Sequence, residues 1–285
     1  MIPYEFDYSA PATLQEALGL LATGEAKVLA GGMSLIPLMK LRLAAPARVV
    51  DISRVPGLNE IREQGGALHI GALATHYQIE SSPLVRQRCP LLAEVAAAIG
   101  DVQVRNMGTI GGSVAHADPA ADYPAALHAL EAKVEIASAK GSRTTGIEAL
   151  LQDLFTTSLE PGELITAVQV PVEASDAGVS YQKMLQPASG FAIVGAAARI
   201  RKSNGKISLA RVGITGLASK SFRATNVEKL LEGTAGTKAD IDRAVAVVAD
   251  GVEANADIHA SADYRAHVAK VYAARAISQA LSRAS

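Results

Sequence analysis

Cysteine is nearly missing from this chain: Cys89 stands alone among 285 residues. One thiol closes no internal disulfide, and by itself it cannot hold an iron–sulfur cluster. Tryptophan is absent and aromatic residues make up only 4% of the chain. Packing must therefore rest on small and aliphatic side chains and on close backbone approach. No apolar run reaches about 18 residues, so no membrane-spanning helix is expected. The N-terminal stretch has no basic segment followed by an apolar one, so no signal peptide is expected either, and the chain reads as soluble and cytoplasmic. Basic blocks and charged tails are lacking, and the formal net charge is −1. Nucleic acid is thereby a poor candidate partner.

What is present suits a globular protein: 49% apolar and 19% charged residues. The length suggests about two domains. Thr13 to Glu16 has the pattern of a capping box, and Leu14, Ala17, Leu18 and Leu21 follow at helical spacing. A strand over 27–30, a helix from about Ser34 with Pro37 in its first turn, and a strand over 48–52 complete a small α/β unit within about residues 1–55. Beyond it, Gly65–Gly66 marks a hairpin. Helices are expected near 75–79, over 90–99, and from Asp118–Pro119 through Leu130, followed by strands in AKVEIAS, SRTTGI and ELITAVQV. The stretch 171–178 reads as a linker. After it come a long hairpin turning at Asn204–Gly205 and helices near 225–231, 238–251 and 262–281.

Two glycine segments stand out. LAGGMSLI runs from Leu29 to Ile36, and GTIGGS runs from Gly108 to Ser113. Consecutive glycines can take positive φ and expose amide N–H groups with no Cβ in the way. Successive N–H groups aimed into one concavity attract anionic oxygens, and a helix N-terminus adds its dipole. Ser34, Thr109 and Ser113 could add hydroxyl donors. Neither segment is a Walker loop or the dinucleotide fingerprint. The residues alone point to a cofactor phosphate of open type, with tight turns as the bland alternative.

In combination, AGGMSLIPLMKLRLAAPARVVDI, VRNMGTIGGSVAHADPAADYPAAL and ELITAVQVP resemble the FAD-binding medium subunit of molybdenum hydroxylases. This is the family of the carbon monoxide and xanthine dehydrogenase flavin components, and the resemblance covers essentially the whole chain. It implies an α+β fold. A two-subdomain FAD-binding domain spans 1–175, as a small α/β unit (about 1–55) plus an antiparallel-sheet unit (56–175). A C-terminal domain of antiparallel strands and helices spans 176–285. FAD would lie between the subdomains, its diphosphate clasped by Leu29, Ala30, Gly31, Gly32, Met33, Ser34, Leu35 and Ile36 on one side. Thr109, Ile110, Gly111, Gly112 and Ser113 would close the other. Asp122 matches a residue on the adenosine side, Ile165 and Lys183 match two further FAD contacts, and Phe191 matches an aromatic near the isoalloxazine. Met33 stands where relatives commonly carry Gln or His, and Ser113 where Asn is frequent.

The resemblance also implies partners. Molybdopterin would lie on a large subunit and two 2Fe–2S clusters on a small one, in a dimer of heterotrimers. Electrons would pass through FAD to an external acceptor: oxygen, a quinone, NAD or a cytochrome. No catalytic acid, base or nucleophile and no metal ligand is assigned in this chain. Two other readings stay open: a self-sufficient FAD-dependent oxidoreductase with its own substrate pocket, and a non-enzymatic flavin-binding module. Among neighbouring residues, Asp118 reads as a helix cap, His116 as a structural histidine and Cys89 as inert. Arg105 reads equally as a surface charge or a partner contact, and the helix over 262–281 as domain core.

Overall fold

The computed structural model describes all 285 residues, and the architecture is α+β. The first unit comprises β1 (Asp7–Ser9), α1 (Leu14–Leu21), β2 (Ala26–Leu29), α2 (Leu35–Lys40) and β3 (Arg48–Asp51). Its strands are parallel, in the order β1-β3-β2. The apolar spacing of α1 buries Ala17, Leu18 and Leu21. Thr13 caps this helix by accepting from the Glu16 amide, but the Glu16 carboxylate takes the Ala12 amide instead of closing the expected reciprocal box.

The second unit starts with the hairpin β4 (Ile61–Gln64) and β5 (Ala67–Gly71). Six helices follow: α3 (His76–Ser81), α4 (Pro83–Arg88), α5 (Pro90–Ala98), α6 (Val102–Met107), α7 (Ile110–His116) and α8 (Asp122–Ala129). The chain then returns through β6 (Lys133–Ser138), β7 (Gly141–Gly146), α9 (Ile147–Leu150), the small ribbon β8 (Leu151–Asp153) and β9 (Thr156–Thr157), and finally β10 (Leu164–Pro171). The resulting sheet is antiparallel, ordered β4-β5-β10-β6-β7. The first unit packs on it through Leu58, Leu73, Ala137 and Leu164.

The third unit contains β11 (Gly178–Leu185), β12 (Ala192–Ser203), β13 (Lys206–Thr215) and β14 (Phe222–Arg223), then α10 (Thr225–Leu231), α11 (Lys238–Val245) and α12 (Ala262–Arg283). Its antiparallel sheet, ordered β11-β12-β13-β14, is buried on both faces. Strand alternation explains the nearly continuous apolar run of β12. Val194, Ala196, Ala198 and Ile200 join the core under α10–α12, while Ala197, with Val179 and Tyr181 of β11, joins the core of the second unit. The approach is close enough that a Cβ on Gly213 would overlap the Ala125 carbonyl of α8. As expected, α12 is core: Val268, Ala269, Ala273, Ala276, Ile277 and Ala280 are buried.

Two local expectations are corrected. The helix placed at Asp118–Pro119 begins at Asp122; Asp118 instead accepts the Ala120 amide in a tight turn, and the Pro119 carbonyl is taken by Thr215 and Gly216. The helix placed over 238–251 ends at Val245 and continues as turns. The stretch 171–178 joins β10 to β11 and is held along its length, Glu173 pairing with Arg199 at 2.8 Å and Asp176 with Arg201 at 2.9 Å. No helix is long and apolar enough to cross a membrane.

Candidate functional site

The first glycine segment leaves the end of β2 and enters α2. Gly32 sits at φ +73, a conformation glycine takes without steric cost. The amides of Gly31, Gly32, Met33 and Ser34 donate to no acceptor within the chain, and the Ser34 hydroxyl makes no cap bond. Four successive donors, none in a buried residue, are thus free to take acceptors from outside the chain. Leu35 and Ile36 continue into α2, with Ile36 and Met33 partly exposed at the rim.

By sequence the second glycine segment, like the first, reads as a turn with exposed amides. It is instead the first turn of α7. Thr109 is the N-cap, its hydroxyl accepting the Gly112 amide at 3.2 Å. The Ile110 amide goes to Ala74 O, Gly111 to Ala72 O and Ser113 to Thr109 O. These donors are therefore already spent. The two glycines serve close approach: a Cβ on Gly111 would lie 2.5 Å from the Ala72 Cβ. The Thr109 amide and the partly exposed Ser113 hydroxyl are left without a partner in the chain.

The two segments meet. A Cβ on Gly31 would overlap the Met107 carbonyl just ahead of Gly108, and the Cβ position of Gly112 is 3.9 Å from that of Ala30. The small residues thus let one backbone rest on another, and the free amides of the first segment border the bare surface of the second. Beneath them, the His76 ring fills the space a Cβ on Gly108 would need. His76 packs edge-on against Tyr123 at 5.2 Å. Burial, with Arg105 nearby, pushes the His76 pKa down to about 4, so the ring is neutral at ordinary pH. His116, expected to be structural, packs at a tilt against Phe155, ring centroids 5.0 Å apart, and burial lowers its pKa. Arg105, left open between two readings, is an internal strut. It pairs with Glu80 at 2.9 Å and donates to the carbonyls of Ile99 and Gly100.

Asp122 and Lys183, far apart in sequence, form a buried ion pair at 2.9 Å, and Tyr181 donates to the same carboxylate. Asp122 opens α8, where the helix dipole favours a negative charge. Burial nonetheless holds its carboxyl above the usual value, with Lys183 and Tyr181 pulling the other way. Lys183 also donates to Ala98 O and Gly190 O, at 2.7 Å each. All three of its N–H bonds are thereby committed. Ile165 is buried on β10 beside an irregularity in its pairing with β6. Phe191 is partly exposed at the end of the loop joining β11 to β12. Cys89 is fully buried, and its pKa is pushed up to about 12, which makes it unreactive as anticipated. Sequence reading missed Tyr181, His76 and Tyr123. Tyr181 lies two residues before Lys183 on the same strand face, and that spacing was the available signal.

Comparison with known proteins covers the whole arrangement. Residues 4–173 match the family described as "FAD binding domain in molybdopterin dehydrogenase", and residues 179–280 match "CO dehydrogenase flavoprotein C-terminal domain". The chain is 39% identical to the 6-hydroxypseudooxynicotine dehydrogenase complex subunit alpha of Paenarthrobacter nicotinovorans, over 100% of this chain and 97% of that one. It is 38% identical to the carbon monoxide dehydrogenase medium chain of Hydrogenophaga pseudoflava, over 99% of each. Among solved structures, carbon monoxide dehydrogenase from Hydrogenophaga pseudoflava superposes with a TM-score of 0.98 at 39% identity, covering 100% of both chains. Quinoline 2-oxidoreductase from Pseudomonas putida 86 gives a TM-score of 0.94 at 33% identity, covering 99% of each.

Proposed function

The chain belongs to the FAD-binding medium subunits of carbon monoxide dehydrogenase-type molybdenum hydroxylases, and from that premise we propose that it is the electron-transfer subunit of a multi-subunit molybdenum dehydrogenase. One observation carries the reading. The amides of Gly31 to Ser34 are uncommitted, in the stretch of chain where the two glycine segments meet. Such donors suit a pyrophosphate, whose charge they offset without a lysine or arginine. The Ser34 and Ser113 hydroxyls add donors at the same place. Ile165 and Phe191 would shape the flavin end of the crevice, and Asp122, buried and held by Lys183 and Tyr181, would support that end from behind rather than face the adenosine.

FAD, when bound, supplies one- and two-electron chemistry, which suits a link between 2Fe–2S clusters on a small partner subunit and an external acceptor. The chain's own residues bind, orient and shield. In this reading they do no acid–base work: His76 is enclosed and neutral, and His116 packs against Phe155. In this reading molybdopterin lies on a large partner subunit, and the assembly is a cytoplasmic heterohexamer, a dimer of heterotrimers.

Purification of the chain followed by absorption spectroscopy tests the proposal. One FAD per chain is expected, with no dehydrogenase activity until the small and large subunits are added. A chain that takes up no FAD on titration, or that oxidises a substrate alone, would overturn it.

A further inference from the structure

No residue of α6 is buried, and its apolar side chains Val102 and Met107 are 64% and 54% exposed. So short a helix does not hold by itself, and without an apolar anchor its place is set by polar ties. Asp101 caps it by accepting the Val104 amide at 2.8 Å, and the Gly108 carbonyl just past its end takes the His76 amide at 3.0 Å. Between these, Arg105 is the one α6 side chain with hydrogen-bonding partners outside the helix. Its Nε pairs with Glu80 of α3 at 2.9 Å, and its Nη1 donates to the carbonyls of Ile99 and Gly100, just after α5, at 3.1 and 3.2 Å. The end of α6 is also what the first glycine segment rests on. A Cβ on Gly31 would overlap the Met107 carbonyl and lie 2.9 Å from the Gly108 Cα.

We propose that Arg105 is a positioning residue for the cofactor. By tying α6 to α3 and to the end of α5, it fixes the Met107–Gly108 backbone that supports Gly31, and with it the placement of the free amides of Gly31 to Ser34. The proposal rests on the FAD reading above, but its first test does not require FAD. Arg105 acts here through backbone and not on an atom of FAD, since its Nε and Nη1 are committed within the chain.

Three variants separate the ties. Arg105→Gln removes all of them, Glu80→Gln removes only the charge opposite Nε, and Arg105→Lys keeps a cation for Glu80. Hydrogen exchange on the chain without FAD reads the amides of His76 and Gly108, both at the C-terminal end of α6. Arg105→Gln is expected to speed both at least about tenfold, while the amide of Ala273, in the core helix α12, stays protected. FAD titration should show Kd raised about threefold or more in Arg105→Gln and returned toward wild type in Arg105→Lys. Adding Glu80→Gln to Arg105→Gln should raise it no further, because the two share one contact. At saturating FAD, the amides of Gly31 to Ser34 should stay less protected in Arg105→Gln than in wild type. Unchanged exchange at His76 and Gly108 in Arg105→Gln would overturn the proposal. So would faster exchange there with FAD Kd and the protection of Gly31 to Ser34 unchanged, because Arg105 would then hold α6 without acting on the cofactor. Failure of wild type to bind FAD would instead sink the functional reading, and the exchange comparison would still decide whether Arg105 holds α6.

Discussion

The two glycine segments do different jobs, and alanine at one position in each separates them. At Gly111, a Cβ would sit 2.5 Å from Ala72 Cβ and 2.8 Å from Ala72 Cα and O. These are backbone-anchored atoms that cannot swing aside. Overpacking of this kind costs about 1–3 kcal/mol. Pushing α7 off the end of β5 also loosens the Ile110–Ala74 and Gly111–Ala72 hydrogen bonds, worth about 1 kcal/mol each. Gly111→Ala should therefore cost roughly 3–5 kcal/mol of stability. At about 2–4 °C per kcal/mol, Tm falls by roughly 6–20 °C. FAD affinity of the protein still folded at low temperature changes little, because the Gly111 amide already belongs to Ala72.

At Gly32, the nearest obstacle is the end of the Ile36 side chain, which can rotate. The cost is the left-handed backbone, about 1–2 kcal/mol for a residue with a Cβ. Whatever strain the loop sheds by turning away reappears when FAD must turn it back. The loss of folding and the loss of FAD binding should sum to that figure, with FAD Kd rising by up to about 5–30-fold. Thermal unfolding by circular dichroism and FAD titration by flavin fluorescence measure both. Should Gly111→Ala keep its Tm and lose FAD, or Gly32→Ala keep both, the division of labour argued here is wrong.

Acid should weaken the fold. His76 and His128 are buried, with pKa values pushed down to about 4 from 6.5. The unfolded chain binds protons there first, so stability is full above about pH 6.5 and falls as pH drops toward 4, by about 2 kcal/mol per histidine at pH 5. Urea unfolding at pH 7.5 and 5.0 measures this; His128→Gln should remove about half of the difference, and equal stability at both pH values would refute it. Glu228, whose side chain is almost wholly buried, takes the Val212 amide and the Arg223 guanidinium, each at 3.0 Å. Glu228→Ala should cost about 1–3 kcal/mol, because the buried Val212 amide loses its acceptor while Arg223 keeps Glu131 at 3.1 Å, and an unchanged stability would contradict that.

Much of this fold is written locally. The spacing of Leu14, Ala17, Leu18 and Leu21 places α1, and Asn204–Gly205 sets the long hairpin with positive φ at both residues. Both glycine segments could be located from sequence, and so could the strand-to-helix passage of the first. The helical character of the second could not, because Gly111 and Gly112 argue against a helix by propensity. There the Thr109 cap and close packing on Ala72 override propensity. Asp118–Pro119 misleads for a related reason, since an aspartate capping a turn and one capping a helix use the same side-chain chemistry. The Asp122–Lys183 pair lies beyond local reading altogether: its members are 61 residues apart and meet only once the third unit docks.

Amide hydrogen exchange across an FAD titration tests the central claim most directly. Gly31, Gly32, Met33 and Ser34 have no internal acceptors, so their amides should exchange freely without FAD and become protected together as one equivalent binds. Binding of FAD that leaves these four amides exchanging as before would place the pyrophosphate elsewhere and contradict the account.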